Sequence, residues 1–278
     1  MTKSRSVIET AGLKFRKKNI GKIVQKIVIS PIKEMSIVAD NWARKNPSKN
    51  IISFGQGIPY WDTPNYIKRA IVKSLKELDT SKYTLEPGIL ELRLEIGKFL
   101  KLSRDIKNID AEHEIMVTVG CQEAIDCALR TVIDEGDEVI LPEPTFPSHI
   151  EQVIQFGGKP VFVALNMKKN WSLDLKILEK KITILFSTNG NTNGKIWTKE
   201  ECESLAKLCT CYNLILITDE TYDFLTYDNT IFFSPATLPE LKNRVILCSS
   251  FSKKYALTGY RVGYAYADRG LMDHMLKV

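Results

Sequence analysis

Short apolar runs alternate with segments of helical apolar spacing from Ile115 almost to the end of the chain. Parallel strands need a long crossover between them, and that crossover is usually a helix. The pattern therefore predicts an α/β fold with a mainly parallel seven-stranded sheet sandwiched by helices. The predicted strands are 115–119, 138–141, 161–164, 184–187, 214–218, 245–248 and 262–267, and the predicted helices are 122–133, 148–156, 173–182 and 199–212.

The first third of the chain has fewer sequence patterns that predict secondary structure. Residues 52–54 are predicted to form a short strand, and residues 66–78 and 89–100 have helical apolar spacing. In open α/β sheets ligands bind at the carboxyl ends of the strands. Polar residues that directly follow predicted strands are therefore the candidates for a functional site.

A lysine motif occupies residues 250–264, directly after the strand at 245–248. Ser250 lies three residues before Lys253, and Arg261 follows eight residues after it. This set suits a lysine held as a Schiff base beside a bound phosphate, because a guanidinium binds phosphate through forked hydrogen bonds. Lys254 is adjacent, but Lys253 is the lysine with the serine three residues before it and the arginine eight residues after it.

Two further segments follow predicted strands. Asp219 ends the strand at 214–218, where a buried carboxylate needs a cationic or hydrogen-bonding partner. A protonated pyridine nitrogen is such a partner, and the carboxylate raises its pKa. Residues 118–125 run from a strand through Gly120 into a helix start, whose free backbone amides and dipole attract anions.

Together these segments resemble the class I/II aminotransferases, the pyridoxal-phosphate (PLP) family with the aspartate-aminotransferase fold, fold type I. The resemblance runs over about residues 30 to 267 in the order of the family's motifs. The segments that carry it are 54–64, 83–93, 118–125, 144–149, 187–194, 219–222 and 250–264.

The resemblance implies the cofactor PLP and a role for each matching residue. Lys253, Asp219 and Tyr222 are the expected catalytic residues: Lys253 bonds to the cofactor, Asp219 pairs with the ring nitrogen and Tyr222 meets the ring hydroxyl. The residues expected to bind the cofactor are these three with Gly120, Cys121, Gln122, Ser250 and Arg261 at the phosphate, Phe146 stacked on the ring and Asn191 at the ring hydroxyl.

Two positions are implied to act beyond the cofactor of their own subunit. Gly57, with Asn191, is expected at the substrate, and Gly57 lets its backbone approach the substrate carboxylate. Tyr83 is expected to reach the phosphate in the neighbouring subunit, which implies a homodimer with shared sites. His149 has two open interpretations, behind the ring-nitrogen acid or on a helix surface. Asn189 and Thr192 replace the family's prolines, and this affects the pose of Asn191.

The resemblance divides the chain into three parts. Residues 1–29 form a basic arm, residues 30–64 form the N-terminal part of a small domain, and residues 65–278 form the large PLP-binding domain. A further segment after Val278 is expected to complete the small domain and to supply the arginine that grips the substrate α-carboxylate. The chain as it stands is therefore expected to bind PLP weakly and to have little activity.

The function implied is that of an amino-acid aminotransferase. It moves an amino group between an amino acid and a 2-oxo acid by ping-pong Schiff-base chemistry, with aspartate and 2-oxoglutarate as the default pair. Two alternatives stay open, because the fold does not determine the reaction. One is a PLP-dependent C–S β-lyase, and the other is a truncated or degenerate paralogue without catalysis.

Charge and composition narrow the function classes. The net charge of +6 comes from residues 1–33, which hold nine basic residues and one acid. This arm is interpreted either as a solvated basic segment or as an organelle-targeting segment. Its sequence has no pattern typical of nucleic-acid binding. No apolar run is long enough to span a membrane, and there is no secretory signal core. The six cysteines lack zinc spacing and are expected to be buried, reduced thiols of a cytoplasmic protein.

Overall fold

The computed structural model describes residues 20–173, 184–188 and 193–278. The strands in this part of the chain are β1 Ile115–Thr118, β2 Glu138–Glu143, β3 Lys159–Ala164, β4 Ile184–Thr188, β5 Ile215–Asp219, β6 Val245–Ser250 and β7 Gly263–Ala267. The helices are α1 Pro31–Lys45, α2 Asn65–Ser74, α3 Leu90–Arg104, α4 Gly120–Val132, α5 Pro147–Gln155, α6 Lys199–Cys211 and α7 Arg269–Met275.

The seven strands form one sheet in the order β1-β7-β6-β5-β4-β2-β3. β3, β2, β4, β5 and β6 pair in parallel, whereas β7 is antiparallel to both of its neighbours. The predicted α/β architecture with a mainly parallel seven-stranded sheet is therefore confirmed. The alternation of helices and strands was sufficient to predict the parallel sheet, because each pair of parallel strands needs a crossover connection.

Two apolar cores lie on the two faces of the sheet. Neighbouring residues of one strand enter different cores: Leu216 packs on one face and Ile217 on the other. Helices α3 and α6 cover the first face, and helices α4, α5 and α7 contribute to the second. Burial on both faces explains why the strands are apolar at almost every position.

The topology brings the ends of three strands and the start of a fourth to one edge. β1, β5 and β6 finish at Thr118, Asp219 and Ser250 on this edge. Because β7 runs antiparallel, its first residue, Gly263, also lies there, opposite both Thr118 and Ser250. Residues that follow these strands are thus held close together by sheet register.

Three sequence-based predictions need correction. Residues 52–54 form no strand: Ile52 and Phe54 are exposed and have no ladder partner, so a short apolar run alone was insufficient. Helix α2 ends at Ser74 rather than at residue 78, with a separate 3-10 turn at Leu78–Ser81. Cys211 is exposed, and Cys121 and Cys127 are only partly buried, whereas the sequence predicted buried cysteines; all of them are free thiols as expected.

Some predictions are not tested by the fold. The helix predicted at 173–182 lies almost wholly outside the described residues, as do most of the basic arm and Asn189, Asn191 and Thr192. The division at residues 29 and 64 stays a prediction. No helix of the described part of the chain is long and apolar enough to cross a membrane.

Candidate active site

A cavity of about 1030 Å³ opens at the carboxyl edge of the sheet. Its walls come from α1, the segment around Gly57, the start of α4 and the turns after β5 and β6. Most of the residues proposed from the sequence share this lining: Gly57, Cys121, Gln122, Phe146, Asp219, Tyr222, Ser250, Lys253 and Arg261. Residues far apart in sequence therefore face one space.

Lys253 occupies the turn after β6, with its amine pointing towards the segment that precedes α2. Its Nζ donates a hydrogen bond to the Gly57 carbonyl oxygen and lies 5.6 Å from the centroid of the Tyr222 ring. Burial lowers the pKa of the Lys253 ammonium, with the Asp219 carboxylate opposing the shift and the Arg261 guanidinium adding to it. The neutral amine, which is the nucleophilic and basic form, is thereby favoured.

Gly57 lies close to this lysine because it has no side chain. A Cβ at position 57 would be 2.5 Å from the hydroxyl oxygen of Tyr222 and 3.6 Å from Lys253 Nζ. Burial raises the pKa of the Tyr222 phenol, and the Asp219 carboxylate adds to this, so the hydroxyl remains a donor at neutral pH. Glycine at position 57 thus leaves room for the lysine amine and the tyrosine hydroxyl on the same side of this segment.

Asp219 forms the floor of the cavity at the end of β5 and is 8% exposed. Its Oδ1 accepts hydrogen bonds from the Thr221 amide at 3.0 Å and from the Cys121 thiol at 3.5 Å. Its Oδ2 lies 3.7 Å from His149 Nε2. The carboxylate is therefore held from two sides while it still lines the cavity.

His149 is buried behind this carboxylate, so the helix-surface interpretation is wrong. The imidazole is 1% exposed, and burial lowers its pKa, with the Asp219 carboxylate opposing the shift. Phe146 packs edge-on against it, with ring centroids 5.3 Å apart. The neutral ring supports Asp219 without neutralising its charge.

The other end of the cavity is built to receive an anion. Helix α4 begins at Gly120 (φ +75°), and its first amide groups lack partners within the helix. Arg261 also has a left-handed backbone (φ 57°) and donates a hydrogen bond from Nη1 to the Thr258 carbonyl at 2.9 Å. A Cβ at Gly120 would lie 2.9 Å from the central carbon of this guanidinium, so glycine is required for the approach.

Gly263 allows β7 to pass directly beneath the start of α4. A Cβ at this position would lie 2.7 Å from the Cys121 amide nitrogen and 2.8 Å from Gly120 Cα. Gly263→Ala is expected to push the start of α4 away, to lower the free energy of unfolding by about 1–3 kcal/mol and to weaken anion binding. Urea unfolding and PLP titration would check both effects.

Gly259→Ala is a matched control for that variant, because no heavy atom lies within 4 Å of a Cβ placed there. This control is expected to leave the free energy of unfolding nearly unchanged. Equal stability of the two variants would show that the close approach at Gly263 has been misread.

The remaining predicted site residues have different surroundings. Ser250 is buried, and its Oγ accepts a 3.4 Å hydrogen bond from the Ser252 amide. Tyr83 lies outside the cavity lining and is fully exposed, as a side chain that reaches another subunit would be. Asn191 lies outside the described residues. The roles of all these residues towards a cofactor stay predictions.

Sequence reasoning missed a buried ion pair behind the cavity. Arg104 at the end of α3 pairs with Glu220, which directly follows Asp219, and with Asp223, which directly follows Tyr222. The helix prediction stopped at Leu100 because polar residues follow it. The available signal was the spacing of Arg104, four residues after Leu100 on the buried stripe of the helix.

The sequence also gave no sign of two other features of the lining. Ser30 and Lys33, at the start of α1, reach the same cavity from the far N-terminal part of the described chain. The side chain of Cys121 contacts Asp219, whereas sequence reasoning used its backbone alone. Burial raises the pKa of the Cys121 thiol, and the Asp219 carboxylate adds to this, so the thiol stays a donor.

Comparison with known proteins identifies the family. The model of the family described as "Aminotransferase class I and II" matches residues 49–278. The chain belongs to this family. The matched range includes the lysine turn, the end of β5 and the start of α4.

Individual class I/II relatives agree with this assignment. The chain is 34% identical over 242 residues to a probable aspartate/prephenate aminotransferase of Aquifex aeolicus, covering 85% of this chain and 61% of the relative. It is 33% identical over 254 residues to an aspartate aminotransferase of Geobacillus stearothermophilus, covering 89% and 64%. The chain thus spans a little over 60% of the length of these two relatives.

A solved class I/II structure has the same fold. The aromatic aminotransferase from Pyrococcus horikoshii superposes with a TM-score of 0.78 at 33% identity, covering 85% of this chain and 64% of that one. Fold type I is therefore shown by structure as well as by sequence.

PLP is the cofactor of this family, and the described residues fit its parts. The start of α4 with Arg261 fits a phosphate. The glycines at positions 120 and 263 have no Cβ, so the guanidinium and β7 can lie close to the backbone amides that would bind the phosphate. The buried Asp219 carboxylate fits a cationic ring nitrogen, and the partly buried Lys253 amine fits an aldehyde. Nothing in the described lining conflicts with the cofactor.

Proposed function

We propose that the protein is a PLP-dependent amino-acid aminotransferase that moves an amino group between an amino acid and a 2-oxo acid by a ping-pong reaction. The observation that carries this proposal is the convergence of Lys253, Asp219, Tyr222 and Arg261 on one cavity. Family membership supports the reaction class, since the relatives described above are named as aminotransferases.

The side chains of the cavity have separate tasks in this proposal. PLP, when bound, supplies an electron sink for the negative charge that develops at the substrate α-carbon. Asp219 keeps a negative charge at the cavity floor, where the Thr221 amide and the Cys121 thiol hold it. Lys253 Nζ, with its lowered pKa, would take the α-proton of a bound amino acid and deliver it to the cofactor carbon C4′.

The substrate pair belongs to the proposal as well. Aspartate with 2-oxoglutarate is the default pair, and it is supported by two relatives named as an aspartate and a probable aspartate/prephenate aminotransferase. The name of the Pyrococcus horikoshii structure makes aromatic amino acids the second group of donors to assay.

A homodimer with shared sites is the proposed assembly. Tyr83 is fully exposed in the single chain, and aromatic side chains of this kind are enriched in protein interfaces. Light scattering on the full-length protein would measure its mass, and a monomer at assay concentration would contradict the proposal.

A donor panel tests the proposed reaction. The full-length protein with PLP is incubated with aspartate, alanine, an aromatic amino acid or kynurenine, each with 2-oxoglutarate, and glutamate is measured. Glutamate formation that requires both partners, with parallel lines in double-reciprocal plots, is the expected result.

The same assay separates the alternatives. Pyruvate released from cystathionine without a 2-oxo acid would identify a β-lyase instead. A protein that binds PLP and turns over neither class of substrate would be a non-catalytic paralogue. A separate titration of residues 1–278 with PLP would test the weak binding expected from the sequence.

A further inference from the structure

Arg104 is a buried arginine with no contact to the cavity described above. It lies in the last turn of α3 on the same stripe as Arg93, Gly97 and Leu100, which directs its side chain under the sheet edge. The side chain is 1% exposed. A charge so deeply buried is costly unless it is paired and hydrogen-bonded.

The guanidinium forks between two carboxylates on one short segment. Nη1 donates to Glu220 Oε2 at 2.6 Å, and Nη2 donates to Asp223 Oδ2 at 2.8 Å. Glu220 directly follows Asp219, and Asp223 directly follows Tyr222. The fork therefore holds the residue directly after Asp219 and the residue directly after Tyr222, each next to a residue that lines the cavity.

The clamp formed by Arg104, Glu220 and Asp223 makes further contacts with its surroundings. Glu220 also accepts hydrogen bonds from Ser234 Oγ at 2.7 Å and from Thr218 Oγ1 at 3.3 Å. The guanidinium lies between the rings of Phe99 and Phe232, at 5.9 and 5.7 Å from their centroids.

The same helix also reaches the lysine turn. The Lys254 amine lies 4.5 Å from the centroid of the Phe99 ring, so α3 contacts the residue next to Lys253. Since Phe99 and Arg104 belong to one rigid helix, the turns after β5 and β6 share a common support.

We propose that Arg104 is a positioning residue of the candidate active site, which holds Asp219 and Tyr222 at the cavity through Glu220 and Asp223. This inference rests on the proposed function for its consequence in cofactor binding. The positional part depends only on the protein and can be measured without a ligand.

Arginine suits this task better than lysine. Its planar fork reaches two acceptors at once, whereas an ammonium is a single point of charge on a flexible stem. Arg104→Lys keeps the charge and loses the fork. Asp223→Asn is the milder variant, because it weakens one branch and leaves the Arg104–Glu220 pair in place.

Lys242 provides a matched control. Its Nζ pairs with the buried Glu114 carboxylate and donates a 3.0 Å hydrogen bond to the Tyr266 hydroxyl oxygen, and neither partner belongs to residues 219–223. Lys242→Met therefore removes a cation from a buried carboxylate in the same protein. This variant shows how a loss of stability alone changes amide hydrogen exchange and PLP binding.

The first measurement is amide hydrogen exchange in ligand-free protein. In Arg104→Lys and Asp223→Asn, peptides covering residues 219–223 are expected to exchange at least about tenfold faster, while the central strands keep their protection. Lys242→Met is expected to leave these peptides unchanged. Equal exchange of residues 219–223 in wild type and both clamp variants would overturn the inference.

The second measurement is PLP titration on the same full-length proteins, followed by the pH dependence of the absorbance of the bound cofactor. A misplaced Asp219 is expected to raise the PLP dissociation constant on the order of 10- to 100-fold in Arg104→Lys and to move the pH midpoint of that absorbance. Lys242→Met is expected to change neither quantity.

The two measurements separate the two ideas. Faster exchange at 219–223 without any PLP binding by the wild type would keep the clamp and overturn the proposed function. Normal PLP binding and an unshifted pH midpoint in both clamp variants would overturn the positioning role, whatever the loss of stability.

Discussion

Replacing Lys253 with alanine is expected to abolish transamination and to remove the near-visible absorbance of protein-bound PLP. The loss of rate is expected to reach about 10⁴-fold or more, because one side chain supplies both the covalent attachment and the proton transfer. The surroundings of Lys253 support this double task. The Gly57 carbonyl accepts a hydrogen bond from its amine, and burial lowers its pKa.

Lys254→Ala is the matched control for this variant. Its amine packs over the Phe99 ring, outside the lining of the cavity, so the absorbance of bound PLP is expected to persist. Absorbance spectra and borohydride trapping followed by peptide mass mapping would locate the attached cofactor. Trapping on Lys254, or an unchanged spectrum in Lys253→Ala, would contradict the assignment.

Asp219→Asn is expected to lower the rate on the order of 10³-fold and to weaken PLP binding by about 10²-fold or more, because a buried cation would lose its countercharge. The amide has the same shape, so the Thr221 and Cys121 contacts can largely survive. The change therefore removes charge rather than packing. Stopped-flow kinetics and PLP titration would measure the two effects.

Asp228→Asn is a suitable comparison, because Asp228 also lines the cavity but lies on an exposed turn. Its left-handed backbone (φ 53°) is well tolerated by asparagine. This variant is expected to keep both rate and affinity near the wild type. Equal losses in the two variants would mean that general cavity charge, rather than Asp219 itself, matters.

Much of the site was predictable because its signals are local. A buried strand that ends in Asp219, a glycine at the start of α4 and a lysine turn after β6 each lie within a few residues. The sheet rule then places the ends of the parallel strands on one edge. The strand predicted at 52–54 was wrong because Ile52 and Phe54 have no partner strand, and the presence of a partner strand is not a local property.

Side-chain contacts between distant segments were not predictable in this way. His149 was left between two interpretations, and only the packing of α5 against the end of β5 puts it behind Asp219. The Cys121 thiol reaches Asp219 across 98 positions of sequence. Each contact depends on how two elements dock, which the periodicity of either element does not specify.

The sequence by itself determined the fold class, the order of strands and helices, and the lysine to which PLP is expected to bond. It could do so because apolar period and motif spacing are properties of neighbouring residues. Only the tertiary structure decided that Arg104 clamps the segment of Asp219 and Tyr222 from 116 and 119 positions away. The physical reason is burial: the Arg104 side chain is 1% exposed, so its charge is stable there only when it is paired with the Glu220 and Asp223 carboxylates.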